Sequence, residues 1–320
     1  MFTIYYDSLQ EGLWFQGLNP EHLSDAVLKP FPGSGELAPP LLAEALAYDR
    51  PDIVLVDDGK PILVLERTSE VPSGHNVGQR FARLAAAAQM QIPVVYFGPY
   101  AAYKHGGKTQ GPRYMNLRLF YALEQMAIIE DTAVTIINWP VDDHYELIKD
   151  PSKDSRVIDY LEMFFSHYDL RGLEGLNSAI MNSAFEQEQE EEGEAFIKEK
   201  VTKPEQYDQP PPSVQILKKT DLEAQTGYDL HCEDHEDVVL YNIGMNYIRS
   251  DPYAGAAMLY SYLYCGGMRN PHRHIILHFP NITTDEWHEV AHRSRKDVRL
   301  FRLASDGIMF VDDYLNGGEL

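Results

Sequence analysis

The chain has 320 residues, 44% of them hydrophobic, and 27 lysines and arginines against 49 aspartates and glutamates give a formal charge of -22. That length builds one large domain or two ordinary ones, the charge argues against a simple nucleic-acid binder that is basic throughout, and the apolar runs stop short of the roughly 18 residues of a membrane span. The N-terminus, Met1 to Asp7, lacks the basic start and apolar segment of a secretory signal, and the 2 cysteines, Cys232 and Cys265, make no disulfide framework, so a reducing, cytoplasmic setting away from membranes is expected.

Residues 1–50 mix aromatics with the stretch Lys29-Pro-Phe-Pro-Gly-Ser-Gly35, after which a helix is predicted from about Pro39 to Tyr48. Ile53-Val-Leu-Val56 reads as a short apolar strand and Pro61-Ile-Leu-Val-Leu-Glu66 as its partner. The Asp-Gly signal inside Asp57-Asp-Gly-Lys60 joins the two as a β-hairpin. A helix follows from about Asn76 to Met90, then the buried strand Ile92-Pro-Val-Val-Tyr-Phe97. Further elements are a helix from Tyr114 to Ile129, a strand over Ala133-Val-Thr-Ile-Ile137 and a helix around Val157 to Ser166.

The segment 186–212 combines the run Glu186 to Glu194 with Tyr207-Asp-Gln-Pro-Pro-Pro212. A composition so poor in apolar residues buries little, so it reads as a linker, a surface excursion or an exposed helix end. The expected organisation is therefore an α/β domain over 1–185, this segment, and a second α/β part over 213–320 that serves DNA recognition or dimerisation. Charge is uneven along the chain, and no acidic residue lies between Arg80 and Arg118, which leaves room for a local phosphate-binding face.

Two acidic residues stand out by position. Asp52 opens the first hairpin strand and Glu66 closes the second, so both fall at the same end of the hairpin. Alternation along the strand puts Ile62, Val64, Glu66 and Thr68 on one face and Leu63, Leu65 and Arg67 on the other. A carboxylate ending an apolar stripe costs several kcal/mol, to order of magnitude, unless it is paired or bound to a cation. Converging carboxylates are also what hydrolysis of a phosphodiester with divalent metals requires. In the following helix Asn76, Gln79, Arg80 and Arg83 gather on one polar face, suited to a phosphate near the helix N-terminus.

Pro51-Asp52, the hairpin and Glu66-Arg67-Thr68, with a helix on either side, resemble the PD-(D/E)XK nuclease superfamily, to which many restriction enzymes belong. The resemblance covers about Pro39 to Phe97. It implies a restriction-endonuclease-like mixed β-sheet core flanked by helices, and Mg2+, or Mn2+ in its place, held by Asp52 and Glu66 with Glu44 as third ligand. It also implies catalytic roles at Asp52, Glu66 and Thr68, where Thr68 stands in the position of the superfamily's lysine; Gln79, on the polar face of the following helix, is expected to serve catalysis or phosphate contact. Lys60, about six strand residues away, sits near the opposite end of the hairpin. Asn76, Arg80, Arg83 and the basic loop residues Lys104 and Lys108 are expected to contact nucleic acid.

The function so implied is a Mg2+-dependent DNA endonuclease, of the restriction or phage-defence kind, with DNA, a second copy of the chain and a further defence-system subunit as partners. Two other readings stand beside it. One is an idle member of the same fold acting as a binding or regulatory subunit; the other is an acidic interaction protein that engages a basic partner or mimics DNA. His231-Cys-Glu-Asp-His235 and Pro271-His-Arg-His274, with His278, have poor spacing for a zinc site. His272, Arg273, Arg293, Arg295, Lys296 and Arg299 make the last third locally basic, a candidate additional DNA surface.

Overall fold

The computed structural model describes residues 1–33, 36–72, 76–103, 111–230, 236–244, 250–291 and 296–317. Lys104 and Lys108, the segment 231–235 with Cys232, and Arg293 and Arg295 lie outside the described residues. The chain forms a mixed α/β protein of two compact units, neither of them continuous: the first holds Met1–Ser73, Arg83–Asn116 and Met126–Thr202, the second Gly74–Ala82, Leu117–Gln125 and Lys203–Leu320. Among the described residues no helix is long and apolar enough to cross a membrane.

The first unit begins with β1 (Phe2–Tyr6), α1 (Leu9–Leu18), α2 (Pro20–Leu23) and β2 (Val27–Pro30). Next come α3 (Pro40–Ala45), shorter than expected, and the hairpin of β3 (Ile53–Asp57) and β4 (Lys60–Arg67). Asp58 and Gly59 turn the hairpin with φ of 46° and 82°, the pair of positive values that a two-residue type I′ turn demands. Helix α4 (Asn76–Gln89), counted in this unit from Arg83 onward, leads to β5 (Val94–Gly98), a small ribbon of β6 (Ala101–Ala102) and β7 (Arg113–Tyr114), then α5 (Leu117–Glu130), counted here from Met126 onward, and β8 (Val134–Asn138). Helices α6 (Ser155–Arg171), α7 (Leu176–Met181) and α8 (Ala184–Lys200) finish the unit.

Its sheet runs β2-β1-β3-β4-β5-β8. β1 and β4 are each antiparallel to β3, while β4, β5 and β8 are mutually parallel. The carboxyl ends of β1, β4, β5 and β8 and the start of β3 therefore share one edge. One face of the sheet, with Ile53, Leu63, Leu65, Val95 and Phe97, packs into a core with Phe15 of α1, Tyr160, Phe164 and Phe165 of α6, and Phe185 of α8. Each such apolar side chain contributes on the order of 1.5–3 kcal/mol by leaving water. Strand alternation turns Val54, Val64, Glu66, Val94 and Tyr96 to the other face, where α3 packs on β4.

The acidic run is helical. α8 opens on a Ser183 cap whose hydroxyl accepts from Glu186 N, and it buries Phe185, Glu186, Gln189 and Gly193 while Glu188, Glu190, Glu191, Glu192 and Glu194 stay exposed. A linker over the whole of 186–212 is thus replaced by a helix with one seated face, because burial at intervals of four residues outweighs a polar average. Glu186 receives a 2.7 Å hydrogen bond from the Thr135 hydroxyl of β8. Burial pushes its carboxyl up to about 7, against the Thr135 hydrogen bond and with help from Glu190.

The second unit holds β9 (Val214–Lys218), α9 (Lys219–Thr226), β10 (Asp237–Asn242), α10 (Ser250–Tyr260), β11 (His274–His278), α11 (Thr284–Ala291), α12 (Lys296–Leu303), β12 (Gly307–Met309) and β13 (Tyr314–Asn316). Its sheet order is β13-β12-β11-β10-β9, with three parallel inner strands and antiparallel edges. Gly78 of α4 and Gly255 of α10 meet there backbone to backbone: a Cβ on Gly78 would fall 2.1 Å from Ala256 N, and one on Gly255 2.3 Å from Gly78 O.

Candidate functional site

The shared edge of the first unit collects nearly all of its candidate chemistry. Asp52 precedes β3 and is only 6% exposed, and Glu66 near the end of β4 is 0% exposed. Asp52 is pinned from two directions: its carbonyl accepts from Asp7 N at 3.0 Å, and its Oδ2 accepts from Arg67 N at 2.5 Å. The hairpin register that pairs Ile53 with Leu65 sets Asp52 and Glu66 at neighbouring positions, as the alternation of the strands demands.

One guanidinium joins the two acids. Arg83 Nη1 lies 2.8 Å from Glu66 Oε1 and 3.8 Å from Asp52 Oδ1, and its Nε lies 3.5 Å from Asp49 Oδ2. Burial alone lowers the pKa of such a group, but Glu66, Asp49 and Asp52 outweigh it and the net direction is upward. Arg83, expected on a phosphate-facing surface, is committed to these three carboxylates instead, with only 18% of its side chain exposed. Glu44 is exposed on α3. Its anticipated place beside Asp52 and Glu66 is taken, at Arg83, by Asp49, which is 8% exposed.

A second group forms on the α1 side of Asp52. Asp7, Glu11 and Asp52 each offer an oxygen, all within 4.8 Å of one another, a set that could hold a metal ion. Hard carboxylate oxygens are the donors that divalent cations of the magnesium type take, so the donor set fits such an ion. The local sequence explains the arrangement. Ser8 and Glu11 form a capping box at the start of α1, with Ser8 N donating to Glu11 Oε2 at 2.9 Å and Glu11 N donating to Ser8 Oγ at 3.3 Å. The box employs Oε2 and turns Glu11 back toward the strand ends.

Arg67 closes the group. Its guanidinium carbon sits 4.3 Å from the Trp14 ring centre and 4.9 Å from that of Trp139, and Phe97 stacks nearly parallel to both indoles at 6.2 and 4.9 Å. Burial depresses the Arg67 pKa, opposed by Asp154, Glu11 and Asp52. The side chain stays cationic at neutral pH and is a fixed positive charge near the acids.

Thr68, expected to stand where the resemblance would put a lysine, is 4% exposed. Its hydroxyl is folded back on its own chain, donating to Glu70 O at 3.1 Å and accepting from Glu70 N at 3.2 Å. Its methyl group abuts Gly98, where a Cβ would lie 2.6 Å from Thr68 Cγ2. Asn76, Gln79 and Arg80 belong to the second unit; Asn76 is exposed and the other two are half-buried. In the locally basic last third, Arg273 turns inward and donates from Nη1 to Tyr264 O at 2.8 Å.

Sequence reasoning missed Asp7, Glu11, Asp49, Arg67, Trp14 and Trp139. The Ser8-Leu-Gln-Glu11 capping-box signature was available for the first pair. Arg67 neighbours Glu66, but nothing local tells that two distant tryptophans enclose it. No protein-family profile matches the sequence, and comparison with curated proteins and with solved structures gives no match either.

Proposed function

We propose that the protein is a divalent-cation-dependent DNA endonuclease whose first unit is a restriction-endonuclease-like core. The observation that carries this reading is the gathering of Asp7, Glu11 and Asp52 oxygens within 4.8 Å at one sheet edge. In open α/β sheets that edge, at the carboxyl ends of parallel strands, is where ligands bind. Mg2+, or Mn2+ in its place, would be held by Asp52 with Asp7 and Glu11; Glu66 keeps Arg83 and through it steadies Asp52.

When bound, the cation supplies positive charge to a scissile phosphate and to the attacking water. The protein's own residues do the rest. The Arg67 amide fixes one Asp52 oxygen, the capping box orients Glu11, and the Arg67 guanidinium adds a fixed charge for the phosphodiester to approach. A pair of chains would bring one such edge to each strand of a duplex.

The test is cleavage of plasmid DNA in Mg2+ or Mn2+ by the full chain. Cutting that depends on the ion and is lost in Asp52→Asn and in Asp7→Asn with Glu11→Gln supports the reading; equal cutting by these variants defeats it. A second reading, a non-cleaving binding subunit of the same fold, is favoured by the closed Thr68 hydroxyl and the Arg83–Glu66 pair. DNA retention without cleavage, unaffected by Asp52→Asn, would select it.

A further inference from the structure

We propose that Arg83 takes the place of a second divalent cation beside Asp52, so that the edge works with a single ion held by Asp7, Glu11 and Asp52. This inference rests on the reading of that trio as a cation site, and it concerns the other side of the same aspartate.

Asp52 presents itself in two directions. Toward α1 it meets Asp7 and Glu11; toward α4 its Oδ1 faces Arg83 Nη1, which also touches Glu66 Oε1 at 2.8 Å. An aspartate shared between two cation positions, with another carboxylate completing one of them, is the layout of a two-ion phosphoryl-transfer centre. In this chain the second position is filled by an arginine nitrogen.

The arginine suits that role in three respects. Its planar fork engages Glu66 through Nη1 while Nε lies 3.5 Å from Asp49, so its charge is anchored outside the pair as well as within it. It issues from a helix whose adjacent residues Ala82, Leu84 and Ala85 are buried, which fixes its origin and leaves only side-chain torsions to move. A divalent ion bound to both Asp52 and Glu66 would lie within a few ångströms of this guanidinium, where like charges repel strongly in a site shielded from water. The ion and the arginine therefore exclude each other. Arg67 cannot substitute, because alternation along β4 turns it to the face opposite Glu66, where its guanidinium lies against Trp14 and Trp139.

The experiment is the stoichiometry of Mn2+ binding to the full chain, by calorimetry and by counting free Mn2+ in its paramagnetic resonance spectrum. One ion per chain is expected for the natural protein and two for Arg83→Gln, with the second lost again in Arg83→Gln combined with Glu66→Gln. One ion in both the natural protein and Arg83→Gln overturns the inference and leaves the trio standing. No ion in the natural protein but one Glu66-dependent ion in Arg83→Gln upholds the role of Arg83 and removes the trio. If Arg83→Gln does not fold, Arg83→Gln combined with Asp49→Asn carries the test: with one of the stranded acids neutralised it should still bind a second, Glu66-dependent ion, and a single ion at saturating Mn2+ overturns the inference.

Discussion

Two glutamates of the first unit are buried by opposite means. Glu66 sits 2.8 Å from a guanidinium that Asp49 and Asp52 also engage, so its environment meets charge with charge. Glu186 meets β8 through the Thr135 hydroxyl, and its carboxyl rises to about 7 because burial penalises the ionised form. Both residues end up in the interior, yet one sits in a network of opposite charges and the other in a site that prefers a proton. A buried acid becomes a functional candidate through what surrounds it rather than through burial alone.

The sharpest way to break this contrast is Arg83→Met. Removing the guanidinium strands the carboxylates that it serves, and breaking a buried pair of this kind costs about 3–5 kcal/mol. Urea unfolding should show a loss of that size; a loss below about 1 kcal/mol would mean the pair behaves like a surface contact.

Glu186→Gln should act in the other direction. Because the folded protein holds a proton on Glu186 that the unfolded chain releases from an ordinary value of 4.5, stability contributed by this group is full below pH 4.5 and falls as pH rises toward 7. Above 7 the buried carboxylate is a liability, so the glutamine variant should gain about 3 kcal/mol at pH 8 and almost nothing at pH 4. Unfolding curves at the two pH values decide it, and an equal effect at both would refute the assignment. Thr135→Val, which deletes the hydroxyl donor, should cost about 1–2 kcal/mol at pH 8 and move the Glu186 titration, followed by carboxyl carbon shifts, upward. The smallest effect belongs to Ser8→Ala, at about 1 kcal/mol for a lost cap, together with weaker Mn2+ binding as Glu11 loses its orientation. Unchanged Mn2+ affinity would detach the capping box from the site.

What the sequence disclosed follows the range of the physics involved. The Asp58-Gly59 turn, the hairpin and the common end shared by Asp52 and Glu66 are local consequences of strand alternation and turn chemistry, and they could be read directly. The partner of Glu66 was another matter: Arg83 was recognised as polar-faced, but that it serves Glu66, from 17 residues away in the chain, depends on tertiary packing rather than on any local pattern. The order β2-β1-β3 brings the N-terminal strand alongside the hairpin and delivers Asp7 and Glu11 to Asp52, a pairing that no periodicity encodes. In α8 the average composition concealed the spacing of Phe185, Gln189 and Gly193, which seats the helix despite its glutamates.

The interleaving of the two units bears on how the protein can be taken apart or recombined. Since Gly74–Ala82 and Leu117–Gln125 are counted with the second unit although they lie within the span of the first, no single cut yields either unit whole. Truncation near residue 202 would deprive the second unit of two helical segments, and grafting only the C-terminal third onto another protein would do the same. Such a chain has to be handled and engineered as one piece, unlike one whose units follow each other and can be exchanged as cassettes.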